Sequence, residues 1–151
     1  MKIAWIFLGL VLAGAQMSAS GADKASPVNS TKDKITGLPV YPGVTETGPL
    51  PTTVVCKSQS SGNFFIVSGK NTRDLTNWYT AALPGFKKYP AVTDGRTQVT
   101  YFSADGTQEV TITGNPDSPE AYSISYSRFH PGLPTSAMAT FNTGKMICGH
   151  T

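Results

Sequence analysis

Residues 96–129 read RTQVTYFSADGTQEVTITGNPDSPEAYSISYSRF, and the alternation within them decides the fold. Thr97, Val99 and Tyr101 alternate with Gln98, Thr100 and Phe102; Val110 and Ile112 alternate with Thr111 and Thr113; Tyr122, Ile124 and Tyr126 alternate with Ser123, Ser125 and Ser127. A period of two is that of a half-buried strand, so three strands are predicted over 96–103, 108–113 and 122–129. Ala104-Asp105-Gly106 turns the chain between the first two, and Asn115-Pro116-Asp117-Ser118-Pro119 makes a wider connection before the third.

Upstream the period changes. Leu75, Trp78, Tyr79 and Ala82 stand at i, i+3, i+4 and i+7, the spacing of one helical face, over residues 71–83. Asn71 or Thr72 can cap the start, Asp74 suits the positive first turn, and Pro84-Gly85 ends the helix. Before it, Thr52 to Ser58 and Phe64 to Ser68 read as strands around a Ser60-Ser61-Gly62-Asn63 turn. Lys87 and Lys88, the only basic doublet, read as a solvated helix end. The expectation is an α+β domain: an antiparallel sheet of about five strands with one helix packed on one face.

Residues 1–20 have the layout of a secretory signal peptide. Lys2 gives a positive start, Ile3 to Ala13 form an apolar run, and small residues follow, with cleavage after Ser20 or Ala22, or earlier at Ala13 and Ala15. The run is too short to span a hydrocarbon core comfortably, and no second one of that length occurs, so stable membrane insertion after signal removal is not expected. Residues 21–37 are Ser, Lys, Asp, Asn, Thr, Ala and Pro with almost nothing apolar, and read as a flexible leader. Asn29-Ser30-Thr31 matches a glycosylation acceptor, relevant only in a eukaryotic host. One domain is expected over 38–151, opening on Leu38-Pro39-Val40-Tyr41-Pro42-Gly43 and closing on a Pro- and Gly-rich tail that can dock through Phe141, Met146 and Ile147 and can hold a further strand around Met138 to Asn142.

The order of these parts resembles a widespread group of small exported bacterial domains of unknown function: a signal peptide, a low-complexity leader, the Leu-Pro-Val-Tyr-Pro-Gly segment, two strands, a helix with a Trp-Tyr pair ending in Leu-Pro-Gly-Phe (83 to 86), then a meander. The likeness covers roughly Leu38 to Phe129 and implies the fold and export; the group has no catalytic residues to carry over.

Several chemistries find no support. Losing Lys2 takes the formal charge from +3 to +2, spread thinly, so nucleic acid is not an expected partner. No cofactor is expected, since no P-loop, dinucleotide fingerprint, EF-hand or His-Glu-x-x-His motif occurs. Cys56 and Cys148, an even pair in an exported chain, are expected to form a disulfide; the alternative is a metal site joining them to His150. An enzyme reading would centre on His130 with Asp117 or Glu120, as a small hydrolase or a metal-dependent enzyme. A secreted inhibitor or effector would use the loop from Asn115 to Ala121 as a binding edge.

The leading expectation is a non-enzymatic binding or scaffolding domain of the bacterial envelope, periplasmic or secreted, with an envelope protein or a glycan as partner. Thr100, Thr111, Thr113, Ser123, Ser125 and Ser127, with Phe102 among them, would form a hydroxyl-rich surface on the sheet face opposite the helix.

Overall fold

The computed structural model describes residues 30–93, 96–115 and 117–149. The segment read as a signal peptide, most of the stretch read as a leader including Asn29, and His150 lie outside the described residues. Among the described residues, six strands and two helices follow in the order β1 (Thr45–Val55), β2 (Ser58–Ser68), α1 (Thr72–Ala82), β3 (Lys87–Thr93), β4 (Arg96–Phe102), β5 (Gln108–Asn115), β6 (Ser118–His130) and α2 (Thr135–Thr140). The strands form one antiparallel sheet in the order β1-β2-β6-β5-β4-β3. Helix α1 therefore carries the chain from β2 to the far edge, and the β3–β6 meander walks back until β6 closes against β2.

The alternation over 96–129 resolves as expected on the helix side. Val99, Tyr101, Val110, Ile112, Tyr122, Ile124 and Tyr126 are buried with Leu75, Trp78 and Tyr79 of α1. The Asn71 side chain accepts from the Asp74 amide at 2.9 Å and donates to its carboxylate at 2.8 Å, a reciprocal cap. At the centre of this core, the Tyr41 amide donates to the Tyr79 hydroxyl, which meets the Tyr126 hydroxyl, which in turn donates to the Pro39 carbonyl at 3.1 Å. Burial raises the pKa of both phenols, so both stay neutral.

The sheet has six strands, against the five or so expected, and a second helix is present. β3 occupies the stretch read as a solvated helix end: Lys87 pairs with Phe102 and Lys88 with Tyr101. Pro90 hides it in the sequence, yet Pro90 sits on an edge strand where no ladder bond is needed outward. The first hairpin turns at Cys56 and Lys57, both with positive φ, and not at Ser60–Asn63. Those four residues are turn types by composition but lie inside β2, paired on both sides. Gly62 is needed there because a Cβ would lie 2.0 Å from the Tyr126 carbonyl oxygen. Residues 138–142, offered as a strand, belong to α2 and the turn after it.

Residues 31–37, read as the end of the leader, are built into the domain. Lys32 bridges Pro39, and the Asp33 carboxylate accepts from the Thr36 amide at 2.7 Å and from Asn63 Nδ2 at 2.6 Å. Low hydrophobicity hid this docking because it rests on hydrogen bonds to a buried Asp33.

Candidate functional site

The face opposite α1 divides in two. Strand parity places Thr100, Phe102, Thr111 and Ser127 there, as expected, and adds Phe129, but the tail after β6 lies over them. Phe102 and Phe129 pack with Leu133, Ala137 and Met138 in a second core, and Phe141 sits edge-on to Phe102 at 5.3 Å and to Phe129 at 6.4 Å. Two anchors hold the tail. Gly106, at φ 67° in the β4–β5 turn, lets the chain lie against Leu133, whose amide donates to the Gly106 carbonyl at 2.9 Å. Cys148 is joined to Cys56 at the tip of the β1–β2 hairpin, so neither sulfur is left as a metal ligand.

The hydroxyl-rich surface is thereby corrected: Thr100, Phe102, Thr111 and Ser127 are buried, and Thr113, Ser123 and Ser125 are half-buried. Phe102 is covered by apolar packing, and Thr100, Thr111 and Ser127 can be covered with it because their hydroxyls find partners inside the fold. Asn142 donates to Thr100 at 2.9 Å and to the Tyr89 carbonyl at 3.2 Å, and accepts from Gln98 at 2.7 Å. The Thr100 and Thr111 hydroxyls are 2.7 Å apart, and Thr111 donates to the Glu109 carboxyl, where Ser127 adds a further bond.

Glu109 is the residue the sequence reading missed. Its carboxyl is buried at 2% exposure, and desolvation raises its pKa to about 7 against the pull of Thr111 and Ser127. The available signal was parity: two residues before Thr111, Glu109 had to point to the hydroxyl face. It lines a cavity of about 170 Å³ bounded by Leu50, Val55, Ser60, Phe129 and Phe141 among others.

Beyond the tail, the same face stays open. A groove of about 290 Å³ runs over Phe64, Ile66, Thr113 and Ser123, with Arg96 and Asn115 on its rim. Ile66 is 42% exposed, and Arg96 and Asn115 are exposed. The groove joins an aromatic and an aliphatic floor to hydroxyl, amide and guanidinium donors.

The enzyme constellation does not assemble. His130 ends β6 and Glu120 lies near its start, ten residues along one strand, which is roughly 30 Å at about 3.3 Å per residue. Asp117 is at that same far end, in the β5–β6 connection. The Asn115–Ala121 loop is drawn tight by pairing of Asn115 with Ser118, and Asn115 and Ala121 contribute to the groove.

No family model, no curated protein and no solved structure matches this chain.

Proposed function

We propose that this chain is an exported, non-enzymatic domain of the bacterial envelope that binds a glycan in the open half of its second sheet face, of the kind that its Leu-Pro-Val-Tyr-Pro-Gly segment and strand order resemble. The groove over Phe64 and Ile66 carries the reading. Sugar rings offer apolar C–H faces to an aromatic platform and hydroxyls to side-chain donors and acceptors, and Phe64 with Thr113, Ser123 and Asn115 supplies both. Arg96 at the rim favours a glycan bearing carboxylates. At about 290 Å³ the groove matches the small end of ligand clefts, which start at roughly 300 Å³.

Export is supported by the signal-like segment and by the Cys56–Cys148 disulfide, which fits an oxidising compartment. No helix among the described residues is long and apolar enough to cross a membrane.

The test is an NMR titration of the ¹⁵N-labelled protein with soluble acidic and neutral oligosaccharides. The expected result is saturable shifts at Ile66, Thr113 and Ser123 with the acidic chain, abolished by Phe64→Ala and weakened by Arg96→Glu. Shifts that are absent, or that survive both substitutions, would overturn the reading.

A further inference from the structure

The geometry points to a second, separate binding site on this face: the cavity under Phe141 is a receptor for a small organic ammonium ion, held by the Glu109 carboxyl and walled by Phe129 and Phe141. This site does not depend on the open groove. Four observations carry it.

Glu109 is a buried acid with no cationic side chain against its carboxyl among the described residues. Among the described residues, β1, β2, β6 and the tail present to the cavity only hydroxyl and apolar side chains, among them Thr53, Ser60, Ser127, Phe129 and Phe141, and no Lys, Arg or His lines it. Ionising a carboxyl in such a place is costly unless a cation accompanies it. Thr111 and Ser127 orient the group and leave acceptor capacity on its oxygens, since an ionised carboxylate has about four lone-pair sites.

The walls suit an alkyl ammonium better than a bare inorganic cation. Leu50 and Val55 offer apolar surface, and the rings of Phe129 and Phe141, at 78° to one another, offer both edge and face to a charged head with an apolar body. Hard metal ions take six or more oxygens, and among the described residues no group of three or more His, Cys, Asp or Glu is placed to bind one.

Size limits the ligand. A cavity of roughly 150 Å³ holds one benzene, so about 170 Å³ takes a molecule of about six non-hydrogen atoms. A route in exists on the β1–β2 side, where Pro51, Thr53 and Ser61 belong to the lining and are exposed.

Butylammonium and its neutral counterpart 1-butanol are the probes, titrated into the ¹⁵N-labelled protein and followed at the Glu109, Ser127 and Phe141 amides. Butylammonium is expected to saturate these shifts and to bind at least about tenfold more tightly than 1-butanol. Its affinity should fall about tenfold for each pH unit below 7, as the carboxyl takes up a proton in place of the ligand, and level off above. Glu109→Gln should remove the preference for the charged probe. Leu50→Trp, which fills the cavity from an edge strand and leaves Glu109 in place, should abolish binding of both probes, so the inference remains testable if Glu109→Gln fails to fold. Equal affinity for the two probes, shifts elsewhere on the surface, or charged-probe binding that survives Leu50→Trp would overturn it.

Discussion

Cys148, in the tail that follows α2, is bonded to Cys56, at the tip of the β1–β2 hairpin, across 92 positions of sequence. The bond closes the second core against the side of the sheet where Glu109, Thr111 and Ser127 form their row. Replacing both cysteines by alanine is expected to lower unfolding free energy by about 2–4 kcal/mol, the usual range for a bridge closing a long loop. Denaturant melts would measure it, and amide exchange should quicken first at Phe141 and Asn142. A double variant as stable as the parent would show that the tail docks by packing alone.

Glu109 sets a pH dependence with a definite sign. Its folded pKa stands at about 7, above the ordinary 4.5, so the folded state binds the proton more tightly than the unfolded chain does. The associated stability is complete below the ordinary carboxyl range, declines between 4.5 and about 7, and is fully lost once pH has risen through 7, a change on the order of 3 kcal/mol. Thermal melts from pH 4.5 to 8 should show this decline, and Glu109→Gln should flatten it. A decline of equal size in the variant would assign it to another group.

The phenol pair in the first core gives a third expectation. Tyr79→Phe removes the hydroxyl that takes the Tyr41 amide and meets Tyr126, leaving two polar groups without that partner. A loss of about 1–3 kcal/mol follows from stranding buried donors and acceptors. Faster amide exchange at Tyr41 would locate the damage in the Leu38–Tyr41 segment; unchanged exchange there would rule out a tethering role.

At Gly62 the prediction is steric. An alanine Cβ would meet the Tyr126 carbonyl oxygen at 2.0 Å and the carbonyl carbon at 3.0 Å, backbone atoms of the central strand that have nowhere to move. Gly62→Ala should cost about 1–3 kcal/mol through displacement of β2 from β6. A neutral effect in equilibrium unfolding would mean that the two strands separate at little cost.

Much of the architecture is legible in residues 71–129. Val99, Tyr101, Val110, Ile112, Ile124 and Tyr126 declare a buried face by period two, and Leu75, Trp78 and Tyr79 declare the helix that covers it. Those signals are local: each residue's side is set by its neighbours in the same strand or turn of helix. β3 was illegible because Pro90 breaks the expected composition while its edge position tolerates it. The hairpin at Cys56 and Lys57 was illegible because neither residue type advertises the positive φ it adopts.

Local alternation alone establishes two chemically different faces of the sheet, one apolar and one rich in hydroxyls, and the cysteine count leaves Cys56 a single candidate for a bridge. What each face meets follows from long-range packing. Alternation says which side a residue points to, and nothing about whether water or another segment lies there. Thr100, Thr111 and Glu109 are buried because a tail more than twenty positions away folds back over this face. Thr113, Ser123 and Ser125 escape full burial because that tail's second core, built on Phe102 and Phe129, lies at the other end of the same strands.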